Sequence, residues 1–279
     1  MLLVLEYSLQ NLVDAGIDGR TGDIQNRRKT CSHIGVFLIG VAVGTFFTGS
    51  DFLLNEFNQV FWLNKTRGLE AVFNFQNVTL GLAVFSLSRI LGAQYFINSI
   101  GDDNIAIRSR RQVGYNTLLF LVFFLTFIFM LLLSDGFSYS PDNGIVSMEP
   151  NKYFHNLIEM PAVMLLFITG VVLVLSGIII TWFKKSTKGI WFSGPGTILT
   201  VLALLLLAGL NNTCFYPSAS YLQSSLTIQN SSSSQFTLTV MSYVSLFIPF
   251  VLFYIIIAWR AINKKRINQE DLSETDHKY

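Results

Sequence analysis

The sequence predicts an all-α integral membrane protein with six transmembrane helices, and three observations carry that prediction. Charged residues are only 13% of the 279, and mean hydropathy is +0.50. A soluble domain needs about 25% charged residues to face water. Long uncharged runs recur along the chain, and the basic residues gather in every second loop between them. The shortage of charge excludes a soluble globular domain, a nucleic-acid binder and a disordered chain. The 25 phenylalanines call for lipid or a very large core. A net charge of +2 is too close to balance to name a partner.

A spanning helix takes roughly 17–25 mainly apolar residues. Ile34–Ser50 carries no charge and forms the first candidate. The second is Ala71–Ser88, which leads into Arg89 and stays apolar to about Ile97. Gln112–Ser134 and Met160–Phe183 are uncharged throughout and form the third and fourth. Gly189–Trp259 is also uncharged and resolves into two spans, about Ile190–Leu210 and about Phe236–Trp259, around a Ser/Asn/Tyr-rich stretch. Within lipid only helices and closed barrels satisfy their own backbone groups. Barrel strands would alternate over about ten residues, which LALLLLAGL and VLFYIIIAW do not do.

The basic residues set the orientation. Arg20, Arg27, Arg28 and Lys29 precede the first span; Arg108, Arg110 and Arg111 follow the second. Lys184, Lys185 and Lys188 follow the fourth, and Arg260, Lys264, Lys265 and Arg266 follow the sixth. The remaining loops hold only Lys65, Arg67 and Lys152. By the positive-inside rule both termini are cytoplasmic, with Trp182, Trp191 and Trp259 at inner ends and Trp62 in an outer loop. The chain then divides into an N-terminal segment (1–32), a six-helix bundle (33–260) and a charged cytoplasmic tail (261–279). Met1–Leu5 is too short to span and lacks the parts of a signal peptide. It reads as a frayed amphipathic start or as the stump of a helix. Cys31 and Cys214 fall on opposite sides and cannot pair, and no Cys/His cluster suggests a metal site.

Chemistry-bearing residues are few. Glycine-rich phosphate loops and nucleophile elbows are absent from the sequence. Of His33, His155 and His277, only His155 occupies a position protected enough for a haem ligand, and it lacks a second-span partner. His155 and Glu159 are four apart and share a helix face, beside Pro161, which should kink the helix. They form either an outward-facing proton or water site, or a carboxyl group bonded to a neighbouring helix near the headgroups; the second reading is favoured. Arg89 lies about 12 Å from the inner end of its helix, deep enough to face the bundle and pair with carbonyls or a partner subunit. Asp51 ends the first span, where an acid opposes the helix dipole. With Ser50 it reads as the cap of the next segment, FLLNEFNQVFW, whose Leu53, Phe57 and Val60/Phe61 suit a short interfacial helix. Gly40 and Gly44 have GxxxG spacing, a helix-packing signature.

From Gly40 onward five stretches stand out: GTFFTGSDF (Gly44–Phe52), VTLGLAVFSLSRILGAQYF (Val78–Phe96), KYFHNLIEMP (Lys152–Pro161), KGIWFSGPGTILTVLALLLLAGLNNT (Lys188–Thr213) and Tyr216–Arg260. Together they resemble one family, subunit II of cytochrome bd-type quinol oxidases, in the branch found in Bacteroides-like bacteria. The serine-rich run SLTIQNSSSSQFTLTVM, which opens the last helix, is the most specific. The resemblance implies a quinol:dioxygen oxidoreductase complex of the bacterial inner membrane. Its haems and quinol-oxidising site belong to subunit I, and subunit II supports that fold and contributes to proton access. It implies no cofactor in this chain. Its partners would be subunit I and membrane lipid, with quinone and a small accessory subunit as further candidates. It also implies about three further helices upstream. Met1–Leu5 then resembles the end of a third helix, and the chain matches the C-terminal two-thirds of the family fold. Asp14–Ser32 departs from the family's short connecting loop, which fits a fragment from a misplaced start or a frameshift. The family's proton-access carboxylates fall largely in the upstream helices, so no catalytic residue is carried over.

Two other functional classes fit parts of the sequence. A small secondary transporter would use interrupted helices, for which Met160-Pro161 and Gly194-Pro195-Gly196 are candidate breaks. A non-catalytic membrane fragment would need neither.

Overall fold

Helix α1 covers Gly22–Thr48, so the chain is helical well before the expected start of the first span at Ile34. Its apolar part, His33–Thr48, is shorter than the spanning helices that follow. The structure, a computed structural model, describes residues 22–55, 59–100 and 102–262. The stump at Met1–Leu5, Arg20 and nearly all of the charged tail lie outside the described residues. Helix α2 runs Phe75–Ser99, α3 Asp103–Leu133, α4 Lys152–Glu159, α5 Pro161–Trp182, α6 Ile190–Gly209, α7 Gln235–Ser245 and α8 Ile248–Ile262. Among the described residues, five helical stretches are long and apolar enough to cross a membrane: α2, α3, α5, α6 with its preceding turn, and α7–α8 taken together.

Side-chain caps start the central helices. Asn74 accepts a hydrogen bond from the Gln76 amide (2.9 Å) at α2. Asp102 accepts from the amides of Asn104 (2.7 Å) and Ile105 (3.2 Å) at α3. Each cap satisfies amides that have no partner within the helix.

Small residues set how closely the helices approach. A Cβ on Gly40 would stand 2.7 Å from the Cα of Gly81, and Gly44 presses on Asn77, so the GxxxG stripe packs α1 on α2 as its spacing predicts. The α5–α6 seam is tighter. A Cβ on Gly177 would meet the Gly189 carbonyl at 2.6 Å and the Ser193 amide at 2.7 Å, and one on Gly196 would meet the Val174 amide at 2.7 Å. Around these contacts the core forms in two parts. Phe47, Leu80, Phe127, Tyr153, Leu204 and Leu207 fill one end of the bundle. Ala83, Ile90, Val113, Phe120, Val174 and Ile178 fill the rest.

Four sequence expectations are corrected. Asp51–Trp62 is not an interfacial helix: β1 (Phe52–Leu54) pairs antiparallel with β2 (Val60–Trp62), Phe52 opposite Trp62. Its residues Glu56, Phe57 and Asn58 lie outside the described residues. Pro161 does not kink a helix. Met160 leaves the helical region (φ −112°, ψ 77°) and Pro161 opens α5, where a missing N–H costs no helical bond. Met160-Pro161 is thus a break between α4 and α5, as expected, whereas the GPG stretch is not, because α6 runs through Pro195 and loses only its bond to the Trp191 carbonyl. The last span, by contrast, is not one regular helix. Pro249 has no N–H for the Ser245 carbonyl, and the amides of Leu246 and Phe247 turn back to Tyr243 (3.1 Å) and Val244 (3.0 Å). A second hairpin, β3 (Gly136–Tyr139) with β4 (Val146–Glu149), links α3 to α4.

Candidate functional site

Three connections meet at one end of the bundle and knit into a cap: residues 49–55 with 59–74, 134–160 and 210–234. Ser50 and Ser218 form a parallel bridge, and Ser138 and Thr213 an antiparallel one. The buried Ser218 hydroxyl donates to the Phe52 carbonyl (2.6 Å), and Ser224 Oγ accepts from the Leu54 amide (3.2 Å). Gln223 pairs with both backbone groups of Val146 at 3.1 and 3.0 Å. Asp51, expected as a helix cap, is instead a tie between two connections. One oxygen accepts from the Asn64 amide group (3.0 Å) and the other from the Ser220 hydroxyl (2.7 Å).

His155 and Glu159 share α4 as expected but are held by different partners. His155 Nδ1 lies 3.6 Å from Glu149 Oε1, and Lys152 Nζ lies 2.9 Å from Glu149 Oε2. The Lys152 ammonium beside Glu149 holds its carboxyl below the usual glutamate range, against a smaller upward push from burial. Glu159 accepts a hydrogen bond from the Asn211 side chain. Asn211 also donates to Asn156 Oδ1 (3.0 Å), and the fully buried Asn156 donates to Thr213 Oγ1 (2.7 Å) and to the Leu207 carbonyl (3.3 Å). This places Glu159 at the exposed end of a polar chain that runs into the core. Asn156 and Asn211 were missed as site residues. The adjacent pair Asn211-Asn212 offered one signal, since both adopt left-handed backbone (φ 57° and 56°) that favours asparagine. Burial raises the Tyr153 hydroxyl above its ordinary value, and its OH donates to the Phe47 carbonyl (3.1 Å). The free, buried Cys214 thiol is pushed up to about 12 by the same cause.

Arg89 lies at the other end of the bundle, apart from this network. It donates to Gln112 Oε1 (3.3 Å) and sits 5.7 Å from the Phe85 ring centroid, while Asn116 donates to the Gln112 carbonyl (2.7 Å). A neutral side-chain carbonyl on an exposed part of α3 therefore takes up part of its charge.

Residues 29–262 match the family described as cytochrome bd terminal oxidase subunit II. The chain belongs to that family. Among its relatives is the cytochrome bd-I ubiquinol oxidase subunit 2 of Escherichia coli K12, 26% identical over 284 aligned residues that cover 94% of this chain and 72% of the relative. The corresponding subunit of Escherichia coli O157:H7 gives the same figures. This subunit II is thus a membrane component of a bd-type quinol oxidase complex, an oxidoreductase of the bacterial inner membrane. The motifs quoted from Gly44 to Arg260 all fall inside the matched region.

The described residues of this subunit II do not fit a haem. His155 is exposed and faces a carboxylate, and His33 packs edge-on against Phe85 at 5.3 Å. The half-open pocket between α2, α3, α5 and α6, about 60 Å³, is lined by side chains such as Leu80, Phe120, Phe124 and Leu204, and no His, Met, Cys or Tyr lines it to serve as an axial ligand. Among the described residues no three His, Cys, Asp or Glu side chains gather as a metal site.

Proposed function

We propose that this chain is the non-haem scaffold of its oxidase. It would cross the membrane six times with both termini in the cytoplasm and support a haem-bearing subunit I, with membrane lipid and quinone as further ligands. The observation that carries the scaffold reading is the last span: no residue from Phe236 to Arg260 is buried within the chain. A helix so placed contributes nothing to its own subunit's core and is available to another. Knitting of alternate connections into one cap, with the basic loops at the opposite end, supports the six-span path and its orientation. The division into an N-terminal segment, a bundle over 33–260 and a cytoplasmic tail follows from that path, as does the match to the C-terminal two-thirds of the family fold.

Glu159 and His155 mark the outer face in this reading, and the Asn211 bond favours a structural role for Glu159 over a proton site. A tagged copy should co-purify with haem only when the haem-bearing partner is co-expressed, and haem bound by this chain alone would overturn the assignment. Glu159→Gln separates the two roles of that carboxylate. A structural group lowers the yield of complex and leaves turnover per haem unchanged; a proton group lowers turnover at normal yield.

A further inference from the structure

We propose that the basic end of the bundle holds the headgroup of an anionic phospholipid, where α3 meets the α5–α6 connection, with Arg110 as its anchor. Arg110 Nη2 donates to the Lys185 carbonyl at 2.7 Å, which staples α3 to the connection. That carbonyl is presented by a left-handed turn at Lys185 (φ 52°). The same guanidinium has a second donor, Nε, that is buried and has no partner in the structure. A buried donor left unmade costs about 1–3 kcal/mol, and a guanidinium edge matches two phosphate oxygens.

Among the described residues around it, basic side chains predominate. Arg108 and Arg111 lie beside Arg110 on α3, and Lys184, Lys185 and Lys188 lie in the connection. The nearest acids in sequence are Asp102 and Asp103, and Asp102 is occupied in capping α3. Between Glu159 and Glu270 there is no acid at all. The apolar rim selects a lipid over a free anion. Trp182 packs on Gly114, its ring 3.1 Å from where a Cβ would stand, while Phe183 and Trp191 are 70% and 69% exposed alongside. A phosphate at Arg110 thus sits where headgroups lie, with aromatic surface beside it for the acyl chains.

The test uses the purified oxidase complex and native mass spectrometry after incubation with phosphatidylglycerol or phosphatidylcholine. Phosphatidylglycerol should be retained selectively. Arg110→Lys keeps the charge and loses the Nε donor, and should weaken retention about tenfold, the worth of one charge-assisted hydrogen bond. Arg108→Lys, on the same turn, should leave it unchanged. If Arg110→Lys fails to assemble, the Lys184→Gln/Lys188→Gln pair serves instead, with about fivefold loss expected for each charge. Equal retention of the two lipids, equal effects of Arg108→Lys and Arg110→Lys, or unchanged retention in the double variant would overturn the proposal. So would displacement of the lipid by excess inorganic phosphate, which would indicate a free-anion site.

Discussion

The α5–α6 pair and the terminal α7–α8 span are comparably apolar, yet one forms a closed seam and the other buries nothing. On α5 and α6 the glycines at 170, 177 and 196 let backbone meet backbone, and Ser193 and Thr200 fill the space between. Gln235–Ile262 contains no glycine, and its large side chains point outward on every side: Phe236, Tyr243, Phe247, Phe250 and Tyr254 are all more than 60% exposed. In lipid, apolar surface alone gives no reason for two helices to associate. Close packing and polar contacts do. The comparison teaches that hydropathy reports which segments enter the membrane, while small residues report which segments hold one another.

The strongest way to break that contrast is to put the same bulk into both regions. Gly177→Leu must displace the Gly189 carbonyl and the Ser193 amide, and overpacking of this kind costs about 1–3 kcal/mol or more. Loss of the monodisperse complex on size-exclusion chromatography is the expected result. Ser242→Leu on α7 meets no neighbour among the described residues, because Ser242 is exposed and its hydroxyl turns back to the Leu238 carbonyl (2.9 Å), so the melting temperature of the chain alone should be unchanged. Equal damage from both substitutions would dissolve the distinction.

A second comparison sets the cap against the bare helix. Asp51→Ala cuts the ties to Asn64 and Ser220 together and should cost about 1–2 kcal/mol, read as a lower melting temperature. Acid should loosen the cap selectively as well. Because the folded-state value of Glu149 is depressed, its contribution is complete above the ordinary glutamate range and is lost as pH falls through the depressed value. Stability of the parent should therefore decline on the acid side, while Glu149→Gln should start lower and stay flat across that window. The mildest probe is Cys214. With the thiol buried and pushed up to about 12, maleimide should label it slowly in the folded protein and rapidly after denaturation. Fast labelling of the folded protein would mean that the cap opens.

The sequence announced the helices far better than the cap. Uncharged runs located α2, α5 and α6 to within a few residues, because exclusion of charge from lipid is a property of each residue taken singly. They located only the end of α3, whose charged first turns begin nine residues before the uncharged run at Gln112. Gly40 and Gly44 announced the α1–α2 contact for an equally local reason. Leu53, Phe57 and Val60 had helical spacing, but pairing of Phe52 with Trp62 and anchoring on Ser218 prevailed over that periodicity. Asn156 and Asn211 carry no charge and no pattern, so only their tertiary position distinguishes them from ordinary polar residues. Arg89 stood out as an intramembrane charge, whereas its neutral partner Gln112 did not.

The α5–α6 seam has a consequence for how the protein is made. Its two halves are neighbours along the chain, joined by the short Phe183–Gly189 turn, so their contacts are local and close early. The hairpin can zip up in the bilayer while the ribosome is still translating the serine-rich stretch beyond it. The terminal helix, emerging after that hairpin and burying none of its side chains against the described residues, then waits as the exposed edge at which the newly made chain is either joined by another or left open to proteolysis.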